Sequence, residues 1–205
     1  MSLFRKIFGS KLDKSQDHAS KDNRGKYMPD LKLPIDERFT INFKANGGKF
    51  LYCENIDEVN ENLKLILDEN NWNGDNVMMF DENLAQIFKT HSLNISNSSA
   101  NCNYFLSTCE YLISNDGTIL LSSNQIGEQK IINLPENFIL IARTSQIVKD
   151  KRDALHGINW GSQTVKPTNI STIKYFDLNI KSDDILKNYG NSNSKNLYLL
   201  LLEDL

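Results

Sequence analysis

Two kinds of hydrophobic pattern alternate along most of the chain. Segment 55–70 places its apolar residues at helical spacing, which predicts an amphipathic helix. The runs FILIA from Phe138 and LYLLLL from Leu197 are apolar at consecutive positions, as expected of strands that are covered on both faces. Strands and helices in this alternation predict a three-layer α/β fold, with a mainly parallel sheet that carries helices on both faces.

The first 33 residues differ in composition from the rest of the chain. Leu3, Phe4, Ile7 and Phe8 would share one face of a short basic helix, and the polar residues after them have little to bury. This segment is either a docking helix for a partner or membrane surface, or a frayed terminus. The second is favoured, because short isolated helices are marginal in water. We therefore predict an amphipathic segment with a flexible linker over 1–33 and one folded domain over 34–205.

Composition and charge argue against several classes of function. A formal net charge of −3 offers no basic field for nucleic acid. Three cysteines without a CxxC pair and three scattered histidines favour a reducing compartment, and they predict no metal site and no cofactor. No apolar run approaches the roughly 20 residues of a membrane helix, and no signal-peptide core is present, so the expected location is the cytoplasm.

The stretch Cys109–Gln125 joins a turn signal to a run of small polar residues. Asn-Asp-Gly from Asn115 lies between two apolar runs and tolerates the positive φ of a tight hairpin turn. Thr118 follows the turn, and the second apolar run ends in Ser-Ser-Asn-Gln from Ser122. Ligands of open α/β sheets bind at the carboxyl ends of strands, so these polar side chains are candidates for a site even where the turn itself is structural.

Further polar groups follow later strands. Arg143 comes directly after the strand at 138–142, where its guanidinium could hold a phosphate or a carboxylate with two hydrogen bonds. Thr168 and Asn169, between two lysines at 166 and 174, could grip an anion or form a loop whose side chains satisfy one another. The candidate ligand-binding residues are Asn115, Gly117, Thr118, Ser122, Ser123, Asn124, Arg143, Thr144, Ser145, Thr168 and Asn169.

Two carboxylates are weak candidates for acid–base catalysis. Glu110 precedes a buried strand, where a solvated or ion-paired strand-start residue is the simpler interpretation. Asp116 lies within the turn signal and is favoured as a turn residue.

The order of several blocks resembles the LUD (lactate utilisation) domain family, which contains lactate utilisation protein C. These blocks are ISNDGTILL from Ile113, Leu-Pro from Leu134, FILIA from Phe138 and Gln-Ile-Val from Gln146. The chain is more similar still to a short branch of that family with a basic N-terminal tail, through FTINFK, GGKFLYCEN, PTNIST and NLYLLLLEDL. The resemblance extends over residues 34–205.

The resemblance implies a fold similar to that of coenzyme A transferases, ribose-phosphate isomerases and glucosamine-6-phosphate deaminases. It also implies the cytoplasm and a link to L-lactate oxidation by an iron–sulfur enzyme complex whose other subunits carry the clusters. Two departures limit it. Asn115 stands where the family has an acidic residue, and the family's Gly-Pro-Ser-x-Thr-x-Asp-Ile block is reduced to STIKYFD from Ser171. An amide cannot replace a carboxylate in proton transfer, so the resemblance does not by itself carry catalysis over to this chain, and whether it is an enzyme stays open.

Three functions follow as hypotheses. The first is an accessory or ligand-binding component of L-lactate or organic-acid utilisation, without a redox centre. It would bind a small anionic metabolite or nucleotide and have iron–sulfur subunits as partners. The second is an enzyme that acts on an acyl or phosphorylated metabolite through Glu110 or Asp116, supported by fold analogy alone. The third is a protein-interaction scaffold that docks through Leu3–Phe8.

Overall fold

The computed structural model describes residues 33–96, 98–160, 166–176 and 194–204. Apart from residue 33, the predicted amphipathic segment and linker lie outside these residues. The α-helices are α1 Ile35–Ala45, α2 Ile56–Glu69, α3 Glu82–Ile87, α4 Ser123–Ile126 and α5 Lys151–Trp160. The strands are β1 Lys49–Cys53, β2 Asn76–Met78, β3 Asn94–Ser96, β4 Tyr104–Thr108, β5 Tyr111–Ile113, β6 Thr118–Leu121, β7 Asn137–Arg143, β8 Ile147–Val148, β9 Ser171–Ile173 and β10 Asn196–Leu202.

A six-stranded sheet, entirely parallel, forms the centre of the fold. Its strand order is β1-β10-β7-β4-β2-β3. The two longest strands, β7 and β10, lie side by side and are buried along nearly their whole length, which explains their unbroken apolar sequences. The predicted α/β class with a mainly parallel sheet is confirmed.

Helices α2 and α3 cover one face of this sheet. The side chain of Asn55 accepts a hydrogen bond from the amide of Glu58 at 2.9 Å and so begins α2 with a side-chain cap. The apolar stripe of α2 then packs on β1, β10, β7 and β4 in one continuous core. The α2 residues that it buries are Val59, Leu63, Ile66 and Leu67.

The opposite face is covered by α1 and by a second sheet with the order β8-β5-β6-β9. Strands β5 and β6 form the antiparallel hairpin that the Asn-Asp-Gly turn predicts. The split into two sheets is not visible in the sequence, because β5 and β6 are buried on both sides just as the central parallel strands are. The edge strand β9 is only three residues long, and the hydrophobic pattern of the sequence does not predict it.

Helix α5 packs on the outer face of the second sheet. Ala154 and Ile158 contact Ile113 and Leu120, which point away from the main sheet. The layer beneath α5 is therefore a sheet, and the face of the central sheet below it is covered by α1, by Ile126 of α4 and by the inner face of the second sheet. None of the helices in the described ranges combines the length and apolar character of a bilayer-spanning segment.

The hairpin tip lies against the end of α1. Asn46, which follows α1, donates from Nδ2 to the backbone oxygen of Asp116 at 2.7 Å. Strand β1 starts only a few residues later at Lys49, so this contact lies at the amino ends of the parallel strands. Gly117 has φ +68, and a Cβ there would lie 2.5 Å from the backbone nitrogen of Phe43. Glycine is therefore required both for its conformation and for the close approach.

We expect Gly117→Ala to lower the free energy of unfolding by more than about 2 kcal/mol, because strain at positive φ adds to a clash with the backbone of α1. Gly74→Ala is the matched control, since Gly74 has φ +80 but open space around its missing Cβ. Strain alone should cost that variant about 1 kcal/mol. Denaturant unfolding of both variants measures the difference, and equal losses would show that the close approach contributes nothing.

Candidate functional site

Glu110 lies at the carboxyl end of β4, in the middle of the parallel sheet. Its amide donates to the oxygen of Leu120 at 2.9 Å, so the returning strand β6 ends beside it. This return brings the polar run from Ser122 to the carboxyl edge of the main sheet, although β6 belongs to the other sheet. The run from Ser122 thus lies at a carboxyl edge because β6 runs antiparallel to β5 and brings the chain back to that end of the main sheet.

Three side chains donate hydrogen bonds to Glu110, and all three reach the same oxygen. Oε1 accepts from Ser122 Oγ at 2.6 Å, from Asn124 Nδ2 at 2.8 Å and from Gln125 Nε2 at 3.2 Å. Oε2 accepts from none of these donors. Glu110 is half-buried, so this second oxygen is the part of the carboxylate that can serve a ligand.

Two potential nucleophiles adjoin Glu110, and neither is available. Ser122 is fully buried, and its Oγ caps α4 by accepting from the amide of Asn124 at 3.1 Å. Cys109 is also buried, and burial, assisted by the charge of Glu110, raises the pKa of its thiol far above neutrality. A protonated thiol is a poor nucleophile, so the residues here favour binding over covalent catalysis.

Gln146 connects the ends of the two central strands. Its Nε2 donates to the backbone oxygens of Cys109 and Glu110 at 2.6 and 3.1 Å, and its Oε1 accepts from the amide of Arg143 at 2.7 Å. Thr108 of β4 pairs with Ile141 of β7, so two residues further on Glu110 and Arg143 leave the sheet at the same level. The guanidinium of Arg143 is exposed. We call Glu110, Ser122, Asn124, Gln125, Arg143 and Gln146 the carboxyl-edge cluster.

Thr144 and Ser145 bind the end of the chain. Asp204 accepts from Thr144 Oγ1, from the amide of Ser145 and from Ser145 Oγ, at 2.9, 2.9 and 2.7 Å. Burial acts to raise the pKa of Asp204, but these hydrogen bonds and the charge of Arg143 outweigh it and lower the pKa. Two of the predicted ligand-binding residues therefore already have a structural partner.

Thr168 and Asn169 form part of the support for α4. The amide of Thr168 donates to Ser123 Oγ at 2.9 Å, and Asn169 Nδ2 donates to the oxygens of Gly127 and Gln129, both at 2.8 Å. These contacts favour the alternative of a self-satisfied loop over an anion grip. Of the two flanking lysines, Lys174 lies near Asp116 instead.

The predicted residues at the hairpin tip are separated from the carboxyl-edge cluster. Four residues of β6 carry the chain roughly 13 Å from Ser122 to the tip, at about 3.3 Å a residue. Asn115 and Asp116 instead line an open depression of about 360 Å³. The hairpin places its turn and its root at opposite ends, so the polar segments fall into two groups, and the role of each group in ligand binding stays a prediction. The depression is lined by Ile113, Asn115, Asp116, Asp150, Lys151 and Arg152.

Comparisons with known proteins agree with this architecture. The family model of the LUD domain matches residues 37–202. The chain belongs to the LUD domain family. Its fold is similar to the crystal structure of a DUF162 family protein from Deinococcus radiodurans, at 15% sequence identity and a TM-score of 0.57. That match covers 83% of this chain and 96% of the other. A search of curated proteins found no match.

Several residues of this LUD domain shape the site although the sequence does not indicate what they bind. Gln146 and Asp204 organise the carboxyl edge, and both lie in blocks that carry the family resemblance, but neither block shows which groups its polar residue contacts. Lys151 and Arg152 begin a helix whose periodicity concerns only its buried face. Among the described residues, no group of three or more His, Cys, Asp or Glu side chains could hold a metal ion.

The lowered pKa of Asp204 makes a prediction for the pH dependence of stability. The folded-state pKa lies below the unfolded value of about 3.9, so the carboxylate stabilises the fold at neutral pH. That contribution is lost as the pH falls through the folded-state pKa. Asp204→Asn should therefore be less stable than wild type at pH 7 and should approach it at acid pH. Thermal unfolding from pH 7 to 3 tests this, and a constant difference would refute it.

Proposed function

We propose that this LUD-domain protein binds a small hydroxy carboxylate at the carboxyl-edge cluster, as an accessory component of L-lactate or related organic-acid utilisation. The exposed guanidinium of Arg143 would take the carboxylate in a two-pronged hydrogen bond. Oε2 of Glu110 would accept the hydrogen of the ligand hydroxyl. The link to lactate rests on the family, and the choice of residues rests on the geometry of the edge.

This proposal rests on the hydrogen bonds of the Glu110 carboxylate, because the three donors all bind Oε1 and none of them binds Oε2. Three donors converge on Oε1 and hold the group in one orientation. An oxygen fixed in this way has already lost its conformational freedom, so a ligand hydroxyl binds it without a further ordering cost. Arg143 leaves the neighbouring strand at the same level, which supplies a cation near an acceptor. A hydroxy acid carries the complementary pair of groups.

An enzyme of the acyl- or phosphate-transfer type has less support. Such chemistry through a side-chain nucleophile needs an accessible group with an activating base. Ser122 is buried, and the thiol of Cys109 is buried with a strongly raised pKa. Binding without covalent chemistry is the function that these residues favour.

Arg143→Ala should abolish most of the binding of L-lactate, because a charge-assisted hydrogen-bonded pair contributes about 1.5–3 kcal/mol, or roughly tenfold in affinity or more. A thermal-shift titration measures it, since a ligand at 100 times its Kd adds about 2.7 kcal/mol to the stability of the folded state. Arg152→Ala is the matched control at the opposite end of the hairpin. Equal binding by wild type and Arg143→Ala would remove this site.

Glu110→Gln tests the role of the free oxygen. The amide keeps the shape of the side chain but places an NH2 group where Oε2 accepts. We expect L-lactate to bind about tenfold more weakly, consistent with the loss of a hydrogen bond to a charged group. Pyruvate, which has a keto group and no hydroxyl hydrogen, should bind wild type and variant alike. An equal loss for both compounds would show that Glu110 does not recognise the hydroxyl.

A further inference from the structure

The hairpin-tip depression lies apart from the carboxyl edge and has a different chemical character. It is open, measures about 360 Å³, and is formed where the β5–β6 turn meets the start of α5. This volume lies at the lower end of the range for small-molecule sites, and it exceeds what a three-carbon acid needs. The residues around it are mostly charged or amide side chains, with Ile113 as the apolar member.

Three cations surround the depression on a chain whose net charge is −3. Lys151 and Arg152 line it, and Lys174 approaches from β9, with Nζ at 4.0 Å from Asp116 Oδ2. Lys151 Nζ is 3.9 Å from the same oxygen. Both distances are at the limit of an ion pair, and both lysine side chains are about half exposed, 54% and 42%. Pairs of this kind are worth little, so an anion can take over both ammonium groups.

The second carboxylate at the depression, that of Asp150, accepts hydrogen bonds from backbone amides. Asp150 Oδ1 accepts from the amides of Arg152 and Asp153 at 2.9 and 3.1 Å. The hydrogen bond from Asp153, followed by that from Arg152, lowers the pKa of Asp150, which therefore stays ionised at the start of α5. Its charge acts on the start of α5 and on Arg152, so Lys151 and Lys174 are the cations that lie near Asp116.

Neutral polar groups complete the surroundings. Asn115 lines the depression and its side chain is exposed. Thr118 pairs with Ile113 across the hairpin and so lies on the same face, toward α5. Its Oγ1 is fully buried and finds no hydrogen-bond partner within the described part of the chain. A buried hydroxyl without a partner is costly. Thr118 does not line the depression, so the groups there that can reach a ligand are the charged and amide side chains.

We propose that the hairpin-tip depression is a second ligand site, which takes a phosphate group attached to a polyol. The two lysines and Arg152 hold the phosphate, and Asn115 and Asp116 hydrogen-bond the hydroxyls. The site is independent of the hydroxy-acid site at the other end of the hairpin. The two therefore differ in ligand class as well as in position.

The test is a pair of thermal-shift and calorimetric titrations with inorganic phosphate and with glucose 6-phosphate. Wild type should bind both, and glucose 6-phosphate should bind the tighter of the two because the hydroxyls add contacts. The double variant Lys151→Ala/Lys174→Ala should lose at least tenfold in affinity for each. Lys64→Ala, an exposed lysine on α2, is the control and should bind as wild type does.

Asp116→Asn should raise the affinity for phosphate, whereas the double lysine variant should lower it. Removing the carboxylate that shares the two lysines should tighten binding of inorganic phosphate several-fold, whereas a merely structural turn residue would leave it unchanged. No binding of either probe, or full binding by the double lysine variant, would overturn the proposal. Arg143→Ala should leave phosphate binding intact, and the double lysine variant should leave L-lactate binding intact. Failure of one site is thereby distinguished from failure of the other.

Discussion

The close approach of the hairpin turn to helix α1 determines the arrangement of one whole side of the molecule. Gly117 lies against the backbone of α1, with no room for a side chain between them. Asn42 and Asn46 of that helix region donate to the oxygens of Ser114, Asn115 and Asp116 from the same side. Because the tip is held there, β5 and β6 lie across the central sheet and close its second core.

The same hairpin separates two kinds of chemistry. Its root brings Ser122 and α4 to Glu110 at the carboxyl edge, and its turn brings Asp116 to Lys151 and Lys174 at the amino edge. Hydrogen bonds organise the root, with one carboxylate oxygen saturated by donors. Long, partly exposed ion pairs organise the turn. A rigid acceptor discriminates between hydroxyl and keto groups, whereas loosely held cations suit a phosphate of higher charge.

Sequence patterns predicted the elements of this fold better than their assembly. The helical stripe of α2, the apolar runs of β7 and β10, and the Asn-Asp-Gly hairpin all follow from local periodicity and turn chemistry. The allocation of strands to two sheets depends on long-range pairing, which has no local signature. For the site, sequence reasoning selected small polar and charged residues at the strand ends, and their role in binding stays a prediction. Which of them meet was decided by the direction in which the hairpin returns, and by the non-local contacts of Gln146 and Asp204.

The amide of Asn115 affects the charge of the hairpin-tip depression, which it lines. Where the LUD pattern has an acidic residue, Asn115 leaves the turn with one carboxylate, Asp116, which lies near Lys151 and Lys174. A carboxylate at position 115 would add to the charges of Asp116 and Asp150 and repel an incoming anion. The substitution therefore removes a group suited to proton transfer and leaves an electrostatic surplus suited to anion binding. The departure of the chain from the family pattern at this turn thus leaves the depression with one negative charge fewer.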